Sequence, residues 1–374
     1  MKTVKDLNLK GERVLLRIDV NSELINGKVQ DNPRFKSHSE TIKFLLNKRA
    51  AVVILAHQSN PGRKDFITLK QHSKILNKYV KVKFVEDIIG KKALREIEKL
   101  KFGEALLLEN VRFLNDEFKT GKNNFVKTIA PMFDYYVNDA FSVMHRNQAS
   151  IVSFPKVLPS VIGPNAEDEI KYIEKLKSKI KNAIFILGGN KVEDVAILIQ
   201  NKKILTSGIL SLLALKARGY KLGYGDKQLK KYSSLIKKIK KNLRNMQIPV
   251  DLAVKLKGGR KEIDLKELPT SHEILDIGKK TILNYKKEIK KAKTIFIKGA
   301  PGDLDQRGFE VGTKELLKAI AKSKAFSVVS GGSIISAIER FKINKNNFSH
   351  VSLSGGALVY YLAGRKLPGL EALK

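Results

Sequence analysis

A series of short aliphatic runs, separated by segments long enough for a helix, constrains this 374-residue chain more than any other feature. The runs are RVLLRIDV, AAVVILAH, EALLLENV, DYYVNDAF, AIFILGG, KKILTSG, QIPVDLAV, TIFIKGA, FSVVSGG and HVSLSGG. Short, continuously apolar runs of this kind mark strands buried on both faces of a parallel sheet. The expected class is therefore α/β, with doubly wound, mainly parallel, Rossmann-like sheets and right-handed crossovers. The chain is too long for one ordinary core and suits two domains. A hydrophobic content of 43% supplies material for both. A linker is expected at 163–181, where the turn signal GPN precedes NAEDEIKYIEKLKSKIKN, a helix with acids in its first turn and lysines in its last.

The ends of the runs differ between the halves. In the first half they meet Asp19, His57, Arg112 and Asp139; in the second they meet glycines at 188–189, 208, 299–302, 331–332 and 355–356. Open α/β sheets bind ligands outside the carboxyl ends of their strands. Arg34, His57, Arg112, His145 and Arg146, gathered around Asp19, Asn21 and Asn138–Asp139, suit bidentate capture of a small anion bearing phosphate and carboxylate. The alternative for any one arginine is a surface ion pair. The glycines would let backbone N–H groups approach phosphate oxygens. Lys191, in GGNK, stands where it could follow a developing phosphoryl charge. No GxxxxGK[ST] occurs, so a P-loop is excluded.

Cysteine is absent, which excludes a disulfide scaffold, a thiol nucleophile and a cysteine-ligated metal, and suits a reducing compartment. No apolar run approaches the roughly 18–20 residues of a membrane span, and MKTVKDLNLKGERVLLRIDV lacks the apolar stretch of a signal peptide. A cytoplasmic protein without membrane contact is expected. Basic residues outnumber acidic ones 72 to 37, leaving +35. In KKYSSLIKKIKKNL, Leu235, Ile236, Ile239 and Leu243 share one face and lysines fill the rest, which reads as the solvated side of a packed helix. A nucleic-acid surface and a general field steering anionic substrates are the other readings. Lysines spread over helix exteriors and an aromatic content of 7% weigh against nucleic acid.

The segments LLRIDVNSEL, VILAHQSNPGRKDF, LLLENVRF, YYVNDAFSVMHRNQAS, FILGGNKVED, IPVDLAV, LDIGKKTI, GFEVGT and SHVSLSGGALVYYLAGRKLPGLEAL resemble phosphoglycerate kinase of the archaeal type, in that family's order and over nearly the whole chain. The resemblance implies a phosphoglycerate-binding domain at 1–163, a hinge helix at 164–181, a nucleotide-binding domain at 182–353, and a segment at 354–374 returning to the first domain. It implies reversible phosphoryl transfer between ATP and the carboxylate of 3-phosphoglycerate, giving 1,3-bisphosphoglycerate and ADP, by a monomer whose Mg²⁺ comes with the nucleotide. Positioning and charge stabilisation would carry the reaction, with hinge closure excluding water. Asp19, Asn21, Arg34, His57, Arg112, His145 and Arg146 would form the substrate shell, Asp19 by orienting basic groups or accepting a hydroxyl. Gly188, Gly189, Lys191, Gly208, Gly299, Gly302, Asp305, Gly331, Gly332 and Ser333 would meet the nucleotide, and Arg34 and Lys191 would be catalytic.

The chain departs from the family pattern around both ligands. Asn60 stands where an arginine is usual, and Arg63 is the expected replacement. Asn190, Ser207, Ser333 and Ser354 stand in place of small or differently charged residues near the nucleotide, Pro301 is displaced within its turn, and Val195 replaces a second lysine. Two other readings follow: a diverged, catalytically weakened relative that binds RNA or another polyanion, and a kinase for a different phosphorylated carboxylate.

Overall fold

The first aliphatic run becomes the middle of a sheet. In the computed structural model, which describes residues 2–121, 123–200 and 203–374, strand Arg13–Arg17 pairs in parallel with Ala51–Leu55 on one side and Tyr135–Asn138 on the other. Ala105–Leu107 and Lys83–Phe84 extend the first side, Ser160–Ile162 the second, and all six strands are parallel. From Arg13–Arg17 the chain therefore builds outward in one direction and then in the other. The carboxyl end of this strand lies at the reversal of strand order, where such sheets bind ligands. Val14, Leu16, Val52, Ile54 and Val137 are buried with Phe35, Ile42 and Leu45 of helix Pro33–Asn47. That helix starts where it does because Pro33 needs no amide partner and the Asn32 side chain accepts the Arg34 N–H at 2.9 Å.

The chain divides into two compact units, one running to Lys171 and including Gly356–Lys374, the other Tyr172–Gly355. The division falls inside helix Pro164–Ser178. The C-terminal segment is tied into the first unit by the Gly369 N–H, which donates to the Met144 carbonyl at 2.9 Å. A side chain at Gly369 would collide with Ile151 and the Met144 backbone.

The second unit repeats the plan with its own parallel sheet, in the order Met246–Gln247, Lys203–Thr206, Ala183–Leu187, Thr294–Lys298, Phe326–Ser330, His350–Ser352. Its reversal lies between Ala183–Leu187 and Thr294–Lys298, which places Leu187 and Lys298 side by side in register. Ile184, Ile186, Ile295 and Ile297 are buried against Leu316, Leu317 and Ile320.

Several strands differ from the expectation. QIPVDLAV, read as one strand, is two: Met246–Gln247 closes the parallel sheet, while Asp251–Leu256 is the centre of an antiparallel sheet with Gly259–Asp264 and Glu273–Ile277. Pro249 lies at the break, having no N–H to offer a ladder. Of its antiparallel neighbours, Gly259–Asp264 is mostly polar and part-exposed, and in Glu273–Ile277 the aliphatic residues Ile274, Leu275 and Ile277 are interrupted by Asp276. The KKILTSG run begins at Lys202, which lies outside the described residues; its strand is Lys203–Thr206. Among the described residues no helix is long and apolar enough to cross a membrane.

One histidine of the first core ties stability to pH. His72, on helix Lys70–Leu76, is fully buried against the Phe35 ring, with centroids 6.0 Å apart. Its Nε2 lies 3.0 Å from Gln58 Oε1, and Nδ1 is buried with no partner. Burial pushes its pKa from 6.5 down to about 4. Between those values the unfolded chain binds a proton that the folded chain refuses, so stability is full above pH 6.5 and falls as pH drops toward 4. Denaturant unfolding of the parent and of His72→Gln should show their stability difference shifting by roughly 3 kcal/mol across that window. A difference independent of pH would contradict the neutral, buried assignment.

Candidate active site

The first unit concentrates positive charge where its strand order reverses. Arg17, the last residue of Arg13–Arg17, is fully buried. Its Nε–H donates to Ser150 Oγ at 2.9 Å, one guanidinium nitrogen donates to the Ile18 carbonyl, and the other meets His57 Nδ1 at 3.2 Å. Ser150 in turn donates from its hydroxyl and its amide to the two oxygens of the buried Glu117, at 2.7 and 2.8 Å. Burial raises the Glu117 pKa, and the field of Arg17 opposes the rise. Arg17 and Glu117 thus share one serine beneath the strand ends.

His57 is buried beside this group. Burial, then the charges of Arg112 and Arg17, hold its pKa well below 6.5, with Asp19 opposing. The ring is neutral near pH 7, and because Nδ1 accepts from Arg17 the ring proton sits on Nε2, ready to donate to an anion. Arg112 is buried too. It donates to the Ser59 carbonyl and, at 3.1 Å, to Gln148 Oε1, while its buried Nε has no partner. Burial and the nearby charge of Arg17 lower its pKa to about 10, which leaves it charged.

Asp19 orders these cations. Its Oδ2 faces an Arg34 guanidinium nitrogen at 3.3 Å and accepts from the Ser142 hydroxyl, and its Oδ1 accepts the Asn21 N–H at 3.0 Å. Burial opposes ionisation, but the charge of Arg34 and these hydrogen bonds keep the carboxyl below the usual range. Arg34 also donates to the Asn21 carbonyl at 3.1 Å, and Asn21 Oδ1 accepts the Ser59 N–H at 2.7 Å. Ser59 holds φ at 57°, a rare left-handed conformation for a residue with a side chain. Its hydroxyl bonds Asp65 at 2.6 Å. Gln58 fixes the same loop with bonds to both backbone groups of Ser22, each at 2.9 Å.

Of the residues singled out in the sequence, Asp19, Asn21, Arg34, His57 and Arg112 are joined by this network. Arg146 is exposed, and its charge reaches Arg112. His145 packs its ring 5.6 Å from that of Tyr360. Arg63 is 69% exposed, and its nearest carboxylate is Asp65 at 3.7 Å. Asp139 serves the fold instead. It accepts from His38, Thr41 and the Asn165 side chain at 2.7–2.9 Å and from the Asn165 amide at 2.8 Å, which anchors the start of helix Pro164–Ser178. Arg17, Glu117, Ser142 and Gln148 were missed. The signal for Arg17 was visible as a charged residue inside an aliphatic run.

In the second unit the glycine turns pack on one another. The amides of Gly188, Gly189 and Gly208 donate to the carbonyls of Lys298, Ala300 and Pro301 at 3.0–3.1 Å, and Gly302 donates to Thr313 Oγ1 at 3.1 Å. This corrects the expectation that these amides are free for phosphate. A side chain at Gly208 or Gly299 would strike the 188–189 backbone, so close turn packing is what these glycines permit. Ser207 Oγ bonds the Leu187 carbonyl at 3.2 Å, and Ser354 is buried among Ser330 and Ser352. Amides suited to an anion are those of Gly332 and Ser333, in the unpaired first turn of helix Gly332–Arg340. Gly332, Ser333, Asn190, Lys191 and Asp305 are all exposed. Lys191 precedes the short helix Val192–Ala196, whose first turn carries Glu193 and Asp194.

The arginine-rich strand ends of one parallel α/β unit and the glycine-and-lysine strand ends of the other are both suited to anionic groups. The family profile described as phosphoglycerate kinase matches residues 4–365. The chain is 42% identical to the phosphoglycerate kinase of Sulfurisphaera tokodaii, covering 99% of this chain and 95% of that protein. It is 38% identical to that of Methanothermus fervidus, covering 100% and 96%. The crystal structure of phosphoglycerate kinase from Pyrococcus horikoshii OT3 matches with a TM-score of 0.93 at 36% identity, over 100% of this chain and 98% of that one. The chain belongs to the phosphoglycerate kinase family.

The Arg17 network gives a direct test of the buried charges. Arg17→Met should cost roughly 1–3 kcal/mol of stability in denaturant unfolding, because Ser150 and His57 lose a buried charged partner and the field favouring ionised Glu117 is reduced. Adding Glu117→Gln should recover part of that loss, with a coupling of at least about 1 kcal/mol. Strictly additive effects would contradict the shared network.

Proposed function

We propose that this chain transfers a phosphoryl group reversibly between ATP and the carboxylate of 3-phosphoglycerate. Membership of the phosphoglycerate kinase family supports the reaction. The observation that carries the substrate side is the buried cluster of Arg17, His57 and Arg112, with Arg34 at its edge and Asp19 as its ordering carboxylate. The buried charges of Arg17 and Arg112 are matched by Glu117 and Asp19, so Arg34 at the edge leaves an excess positive charge, and a phosphate with a carboxylate is the kind of ligand that would offset it. Arg34, His57 and Arg112 would bind the substrate anion, with Asn21 and Asp19 fixing their positions and Arg146 and His145 completing the shell. Arg63 is proposed to supply the charge that Asn60 lacks.

The second unit would hold the nucleotide. The turns at 188–189, 208 and 299–302 offer flat backbone for close approach, and the first turn of Gly332–Arg340 offers amides to phosphate. Asp305 would meet the ribose, and Lys191 would follow the transferred phosphoryl group. Mg²⁺ enters as part of the Mg-ATP substrate. Among the described residues no group of three or more His, Asp or Glu is placed to hold a metal. A cation that keeps its waters and binds phosphate oxygens needs only one or two protein carboxylates. The reaction is an in-line attack of the substrate carboxylate on the γ-phosphorus, and the protein contributes positioning and charge. A cytoplasmic monomer is the state in which we propose it works.

Coupled turnover of 3-phosphoglycerate with Mg-ATP tests this reading. The parent should be active, and Lys191→Ala should lose roughly 10²–10³ in kcat. No turnover by folded protein with any nucleoside triphosphate would overturn the proposal. In the same assay Arg63→Ala should raise the KM for 3-phosphoglycerate several-fold, and an unchanged KM would remove Arg63 from the site.

A further inference from the structure

A buried lysine in the second unit belongs to neither ligand shell described above. Lys298 is the last residue of strand Thr294–Lys298, next to the reversal of strand order, and is in register with Leu187 on one side and Ser330 on the other. Glycine turns follow all three positions, at 188–189, 299 and 331. The residue is only 7% exposed, yet its ammonium is poorly compensated. Among the described residues its Nζ has two partners: the Gly355 carbonyl at 3.3 Å and the half-exposed Asp194 carboxylate at 3.9 Å. An ammonium carries three donors. Lysine is almost never fully buried unless paired, so an ammonium held this loosely is an expensive feature to keep.

The surroundings point to what offsets that cost. Burial lowers the Lys298 pKa; Asp194 opposes this and the charge of Lys191 adds to it, so the two lysines lie within reach of each other's field. A side chain at Gly355 would come within 3.6 Å of the ammonium, and one at Gly331 within 4.0 Å of its stem. The flanking glycines therefore set bare backbone, with no side chains of their own, against the lysine. Two cations, one carboxylate and bare backbone at the ends of neighbouring parallel strands lack a multiply charged anion.

We propose that Lys298 binds the phosphate chain of the nucleotide directly, as a second cation alongside Lys191. This rests on the reading of the second unit as the nucleotide-binding unit. When phosphate is bound, the ammonium exchanges its long contact with Gly355 for charged oxygens, and Asp194 remains to balance the pair of lysines.

Calorimetric titration of the full chain with ADP and with adenosine, for the parent, Lys298→Met and Lys298→Arg, tests the proposal together with the Tm of each ligand-free protein. Lys298→Met should weaken ADP at least ten-fold and leave adenosine unchanged. Its ligand-free Tm should equal or exceed the parent's, because a poorly paired buried charge has been removed. Lys298→Arg should keep most of the ADP affinity. Unchanged ADP affinity in Lys298→Met would overturn the proposal and leave the nucleotide reading intact. A lowered Tm with equal losses for ADP and adenosine would also overturn it, marking Lys298 as a structural pin for the Gly355 turn. If the parent binds neither ligand, the nucleotide reading falls, and this proposal falls with it.

Discussion

The buried guanidinium of Arg17 is the interaction on which the rest of the first unit depends. It sits at the end of the central strand, where burial by the parallel sheet is complete and the strand order reverses. A charge in that position must be answered on every side, and the answers are the residues of the site. Ser150 relays it to Glu117 below, and His57 accepts from it above. Holding His57 neutral makes that ring a donor rather than another cation. Asp19 then limits the repulsion among the remaining cations by facing Arg34. The cluster is thus set for an anion before any ligand arrives, which is the sense in which such a site is preorganised.

The second unit uses the same topology for a different end. Its strands close with glycines whose amides are largely committed to each other, so the surface they form is tight backbone rather than an open set of donors. Specific charge must come from side chains placed among them. Lys191 and Lys298 provide it, one exposed and one buried. The hydroxyl of Ser207 is accommodated by its bond to the Leu187 carbonyl, and Ser354 is buried with its backbone bonded to the hydroxyls of Ser330 and Ser352.

Much of this was legible from residues alone, for identifiable reasons. Parallel strands buried on both faces announce themselves as aliphatic runs, and both central sheets were visible that way. The antiparallel strands Gly259–Asp264 and Glu273–Ile277 were not, because a half-exposed strand needs no continuous apolarity. Asp19, Asn21, His57 and Arg112 were readable as polar residues at or beside the ends of such runs, and Arg34 as a basic residue following a turn. Arg17 and Lys298 sit within the runs themselves, where a lone charge is easily read as a strand terminus meeting solvent. Only the structure shows that both are buried, and at the reversals of strand order. That Asp139 caps a helix rather than touching an anion depends on a contact with Asn165 that no spacing announces.

On the proposed function, the first unit holds one small phosphorylated carboxylate on a preformed buried cluster, and the surplus of +35 is not itself a polyanion site. Calorimetric titration of the full chain with 3-phosphoglycerate, repeated in the presence of a single-stranded RNA, tests this most directly. Binding of one molecule per chain, unaffected by the RNA and abolished by Arg112→Ala, is the expected result. No binding of 3-phosphoglycerate by folded protein, or its stoichiometric displacement by RNA, would contradict the claim.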